Sequence, residues 1–224
     1  MIASVGLFSC QQDRKSNKNN LDTAKLSQAK NIQSQKSHEK YIHTTHKYID
    51  SEGGSIIIQN SFPKGEGYTD PNGKEYFKTI FFTRIINETD NLFELKIDFP
   101  VNLYKLPSSV GKHFKILLAS ESMTLDKVDM ANYGLADLNF FLDNSIHRPS
   151  SLKKTIHSKE SSGFYVLILF EKGLDGTFRT GLSIKGKNLF YRVARYAGKQ
   201  GDSLVDEKEI NCGSINLKNL VLQK

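Results

Sequence analysis

The sequence predicts an all-β, mainly antiparallel fold: a single β-sandwich, Ig-like or jelly-roll-like, with one or two short helices in a crossover. Three observations predict it. Phe93, Leu95, Ile97 and Phe99 alternate with Glu94, Lys96 and Asp98, the period of a strand with one buried face. Residues 164–170 (FYVLILF) are apolar on both faces over a strand's length, which places them centrally with both sides covered. Short periodic runs are separated by Gly/Pro turns, and within 55–224 only 124–144 has helical spacing; that pattern argues for a sandwich or barrel.

Each element has its own signal. Asp70-Pro-Asn-Gly73 puts Asp, Pro and Gly where a type I turn wants them, ahead of a long strand over 76–86. Asn87-Glu-Thr-Asp-Asn91 links that strand to the one over 92–99, and Pro100 and Pro107 close the region. Phe114, Ile116 and Leu118 mark another strand. The helical stretch breaks near Gly134, and Leu135, Leu138, Phe141 and Leu142 make its apolar stripe. Phe178, Thr180, Leu182 and Ile184 alternate with Arg179, Gly181 and Ser183. The turn Lys185-Gly-Lys187 then joins this strand to 188–195 in a hairpin.

The chain divides into three parts. Residues 1–10 read as a lipoprotein signal segment, 11–54 as a flexible polar tether, and 55–224 as the sandwich domain, long enough for a core without staples. The first part rests on Cys10, where an apolar run ends in a small residue and a cysteine before a long polar segment. This resembles the bacterial lipobox: Leu7 and Ser9 match, while Phe8 is bulkier than usual. The processing enzyme works in the membrane plane, so it needs an apolar helix to enter and small side chains at the scissile bond. Signal peptides carry a basic start and ~7–15 apolar residues, yet only nine residues precede Cys10 and none is Lys or Arg. A start upstream of Met1 would account for the shortfall. The competing reading is a cytosolic chain with an incidental thiol; the abrupt polar switch favours the signal. Stable anchoring takes two acyl signals, which a diacylglyceryl-modified and N-acylated cysteine supplies.

Residues 11–40, the first part of the tether, carry +4 of the net charge of +7. Residues 11–40 hold seven Lys/Arg and three Asp/Glu, and the remainder 24 and 21, a net of only +3. The basic balance therefore argues against a nucleic-acid groove and for attraction to anionic headgroups or plain solubility. With five apolar residues in thirty, this segment cannot offset its ordering entropy. A marginal helix with Leu21, Ala24, Gln28 and Ile32 near one face is the one element it allows. Asp22-Thr-Ala24 and Asp202-Ser-Leu204 fit a short bacterial O-glycosylation pattern, which recurs by chance. Asn87-Glu-Thr89 is a formal N-glycosylation sequon.

No motif defines a catalytic, cofactor or metal site. Gly67 to Glu75 has the outline of a P-loop, but five residues separate its glycines and Glu75 follows Lys74, so a turn is expected. His38, His43 and His46 lie close in sequence without the carboxylate or thiolate company of a full tetrahedral set. His113, His147 and His157 are scattered. Cys212 reads as a small buried thiol near the last strand, and Glu207/Glu209 and Asp137/Asp143 as ordinary surface charge. Aromatics interleave with bases at 77–84 and 190–196. The expectation is that the aromatics are core and Lys78, Arg84, Arg192 and Arg195 the solvated face.

From Ser55 onward the chain resembles a group of Gram-negative, Bacteroidetes-type envelope lipoproteins. The phrases that carry it are Ser55-Ile-Ile-Ile-Gln-Asn60, Pro63-Lys-Gly-Glu-Gly67, Asp70-Pro-Asn-Gly-Lys74, Thr83-Arg-Ile-Ile-Asn-Glu-Thr89, Leu95-Lys-Ile-Asp-Phe-Pro100, Leu189-Phe-Tyr-Arg192 and Cys212-Gly-Ser-Ile215. The resemblance implies export and a single domain, and no activity; the lipidation cysteine, Cys10, is the one residue it assigns a role. The function expected is that of a non-catalytic binding or structural module at the cell envelope. It would be anchored by lipid, in the outer membrane on its periplasmic or surface face, with an envelope protein or a glycan as partner. The alternative is an envelope hydrolase or carbohydrate-active enzyme with its site in loops such as 101–113 or 143–162. Neither a cofactor, a metal nor nucleic acid is expected.

Overall fold

The computed structural model describes residues 38–109, 111–174, 176–197, 203–217 and 221–222. Cys10, the tether up to residue 37, its marginal helix and both Asp22 and Asp202 lie outside the described residues. From Tyr41 onward the chain is one unit, all-β and antiparallel, in which two curled sheets pack face to face.

Thirteen described strands build it: β1 (Ile42–Ile49), β2 (Ser55–Ser61), β3 (Lys64–Thr69), β4 (Glu75–Asn87), β5 (Phe93–Phe99), β6 (Tyr104–Lys105), β7 (His113–Met123), β8 (Ser150–Ile156), β9 (Ser161–Glu171), β10 (Thr177–Lys185), β11 (Asn188–Ala197), β12 (Ser203–Ile215) and β13 (Val221–Leu222). An eight-stranded sheet runs β13-β1-β2-β4-β9-β7-β6, with β3 also on β4, and a five-stranded sheet runs β10-β11-β12-β5-β8. The predicted strands are all present, and the predicted hairpin is β10–β11, with Lys185 paired to Asn188. The crossover after β7 holds two 3-10 turns and one helix, α1 (Leu138–Ser145). Among the described residues no helix is long and apolar enough to cross a membrane.

β4 and β9 are the spine, paired along their whole length from Tyr76–Glu171 to Ile86–Ser161. Both are covered on two sides. One face meets the five-stranded sheet through Phe81, Ile85, Phe164, Val166, Ile168 and Phe170. The other meets the crossover, where Ile80, Phe82, Tyr165 and Leu167 pack on Val128, Tyr133, Leu138 and Leu142. That double cover is why 164–170 carries no polar alternation.

Two differences from the sequence reading matter. The sheet begins at Ile42, inside the segment assigned to the tether: β1 pairs with β2 from Ile42–Ser61 to Ile49–Ser55. Only Tyr48 of β1 is fully buried, so the strand leaves little apolar period to read. The segment 143–162, offered as a site-bearing loop, contains β8, which pairs with β5 from Phe93–Ile156 to Phe99–Ser150.

The seams between the sheets are closed by side chains. Asn60 of β2 accepts the Leu182 N–H at 2.9 Å through Oδ1 and donates to the Leu182 carbonyl at 3.2 Å through Nδ2. The Tyr48 hydroxyl accepts the Ile184 N–H at 2.8 Å. These groups satisfy the free edge of β10, where an unpaired strand would otherwise offer itself to another chain. At a second seam the Ser150 hydroxyl accepts the Leu118 N–H at 2.6 Å.

Candidate functional site

The segment with a P-loop outline is the β3–β4 hairpin. Asp70 caps its turn, accepting the N–H groups of Asn72 and Lys74 at 2.9 and 2.8 Å, while Gly73 donates to the Asp70 carbonyl at φ +82°. Positive φ is what reserves that position for glycine. The hairpin lies beside the β9–β10 turn, and the space between them is a groove of about 510 Å³.

Tyr76 and Phe77 line the groove from the hairpin, Leu174 and Phe178 from the opposite side. Phe77 is 45% exposed although it lies on the strand face that further along holds Phe81 and Ile85. The five-stranded sheet no longer covers that face here, so the ring meets the groove. Its neighbour Lys78 is buried, with Nζ bonded to Asn139 of α1 at 2.6 Å and paired with Glu66 at 2.9 Å. The sequence reading is inverted at this pair: the aromatic faces out and the lysine in.

Two cross-strand ion pairs border the groove. Lys74 meets Glu171 at 2.6 Å, and Lys172 meets Glu75 at 2.6 Å. Glu171 also accepts the His113 N–H at 2.9 Å and lies 3.1 Å from His113 Nδ1. Burial alone would raise the Glu171 carboxyl, but the hydrogen bonds from Lys74 and His113 outweigh it and hold it below the usual range. Burial raises the phenols of Tyr68 and Tyr76, so both stay protonated donors. The Tyr68 hydroxyl donates a hydrogen bond to Asp143 at 2.6 Å, so Asp143 is a tether for the hairpin rather than idle surface charge.

The other candidate residues do not gather at the groove. His43 and His46 sit three apart on β1, whose register slips between Ile42 and Thr44, and each stands beside its own aromatic, Phe62 at 5.2 Å and Tyr48 at 6.4 Å. Among the described residues no three His, Cys, Asp or Glu side chains come together as metal ligands. His147 and His157 are exposed. Glu207 pairs with Arg192 and Glu209 with Lys185, both on the outer face of the five-stranded sheet. Arg84 is half-buried between Gln59 and Ser161. Cys212 is buried in β12, and desolvation pushes its thiol up to about 12. Asn87 is fully buried, so the sequon is a structural feature of the fold.

Fold and groove together define a β-sandwich with an aromatic, charge-bordered recess at one end. No known protein-family model matches the chain, and no curated protein matches its sequence.

Proposed function

We propose that the protein is a non-catalytic envelope lipoprotein, anchored through Cys10, whose sandwich binds a glycan in the groove. The observation that supports it is the exposed ring of Phe77 in a recess bordered by ion pairs. The C–H face of a sugar ring packs on an aromatic, and its hydroxyls find acceptors and donors in Glu75, Glu171 and Lys172. The recess is of ligand size, whereas a stable protein partner needs roughly 800 Å² of surface from each side. The lowered Glu171 carboxyl does not fit the proton-donating acid of a glycosidase, whose pKa has to be raised. The lipid and the basic tether would raise local concentration at an anionic membrane.

Two measurements test this. Retention of the protein on isolated envelope polysaccharide should fall roughly tenfold in Phe77→Ala, the loss of about 1.4 kcal/mol of ring packing; unchanged retention would remove the groove from the reading. Labelling with a fatty-acid analogue in the native host should mark wild type and not Cys10→Ala. A wild-type protein expressed with its true upstream sequence that takes up no label would end the lipoprotein reading.

A further inference from the structure

We propose that a second cavity, on the far side of Tyr76 from the groove, binds a small amphipathic monocarboxylic acid, with Lys115 as the counter-ion to its carboxylate. The cavity measures about 300 Å³, and Tyr76, Val101, Leu103 and Ile146 form its apolar walls. Val101 and Leu103 are 45% and 47% exposed, large aliphatic side chains facing open space. Occupation by an apolar body would remove that surface from water.

Lys115, on β7, also lines the cavity and is only 3% exposed. Its ammonium donates to the carbonyls of Val101, at 3.2 Å, and of Ile146. Ile146 caps the C-terminus of α1, so the lysine ties the helix end to the loop after β5. That strut uses two of the three ammonium protons. It leaves the charge uncompensated, because both partners are neutral carbonyls. Burial is the one cause acting on this amine, and it lowers the pKa with no carboxylate to restore it. A buried charge is costly unless paired. An anion in the cavity would supply both the third acceptor and the missing charge.

The remaining charges around the cavity are already engaged. Lys74 is held by Glu171, and Asp70 is turned onto the backbone of its own hairpin. His147 stands exposed at the rim. One ammonium with a single proton to spare among apolar walls suits a monoanion with a hydrocarbon body; a phosphate would demand more donors than the site holds. This site is independent of the glycan groove, and either reading can fail alone.

The probes are hexanoate, 1-hexanol and hexylamine, titrated calorimetrically into the full chain. Hexanoate should bind at least tenfold more tightly than hexanol, and hexylamine should not bind. Lys115→Met keeps the aliphatic stem and removes the charge, so it should bring hexanoate down to the hexanol level. Should Lys115→Met fail to fold, Leu103→Asp places a carboxylate on an exposed wall and should weaken hexanoate at least tenfold. The proposal is overturned if hexanoate binds no better than hexanol, if Lys115→Met keeps the preference, or if Leu103→Asp leaves hexanoate binding unchanged.

Discussion

Asn87 sits at the end of β4, where the chain leaves one sheet for the other. Its amide nitrogen donates to the carbonyls of Asn91 at 2.8 Å, Ile156 at 3.3 Å and His157 at 2.9 Å. Its Oδ1 accepts the Thr89 N–H at 3.0 Å and hydroxyl at 2.7 Å. One side chain therefore satisfies the polar backbone of two loops inside the protein. Asn87→Ala should cost about 3 kcal/mol in urea unfolding, because several buried groups lose their partner at once. Asn87→Asp should cost at least as much, since a carboxylate would face three carbonyls. Equal stability of either variant with wild type would show that the loops rearrange freely. Cys212 gives a second test at this scale. With its thiol raised to about 12 and its Sγ 3.4 Å from the Leu189 carbonyl, it should resist Ellman's reagent at pH 8 in a Cys10→Ser background. Full reaction should follow only on unfolding in guanidinium.

At the scale of elements, the hairpin β3–β4 is held to β9 and β7 by the Lys74–Glu171–His113 contacts, and that linkage has a pH signature. The Glu171 carboxyl is lower in the folded protein than its unfolded value of about 4.3. Its contribution to stability is therefore complete above that value and is lost as pH falls through the folded pKa. Glu171→Gln should lower stability at pH 7 and flatten the decline below about pH 4 in a series of urea midpoints. The histidines of β1 act in a separate window: burial lowers both, with Arg179 and Arg192 adding to the effect at His43. The unfolded chain binds their protons more readily, so stability should also fall as pH drops below their ordinary 6.5. The same elements show what could be read in advance. β5, β9 and β10 were legible because a sheet or the crossover covers them along their length and burial imposes its period. β1 and β3 were not, because each buries one tyrosine, Tyr48 or Tyr68; the interior of β1 is otherwise polar between its terminal isoleucines, and β3 is otherwise polar or glycine. Phe77 and Lys78 inverted their expected places because the five-stranded sheet ends short of Phe77 while α1 reaches over Lys78. Propensity says what favours a strand; it does not say where the covering layer stops.

At the scale of the whole molecule, the position of β1 decides where the folding unit starts. The sequence alone places that start at residue 55, whereas the folded unit begins at Tyr41. A chain starting at Ser55 would lose the β1–β2 ladder and the burial of Tyr48, a side chain worth about 2–3 kcal/mol by area alone. It would also lose the hydroxyl that satisfies Ile184 on the β10 edge. The edge of β2 and part of the edge of β10 would then stand open together, and the polar groups along them would invite pairing between chains. Against a total stability of roughly 5–15 kcal/mol for a domain, these losses are large. A chain of residues 41–224 should unfold cooperatively and remain monomeric, while 55–224 should melt broadly and aggregate. Calorimetry and light scattering on the two chains distinguish the outcomes. A sharp, monomeric transition from 55–224 would mean that β1 only covers the sandwich, and the start of the folded unit would return to residue 55.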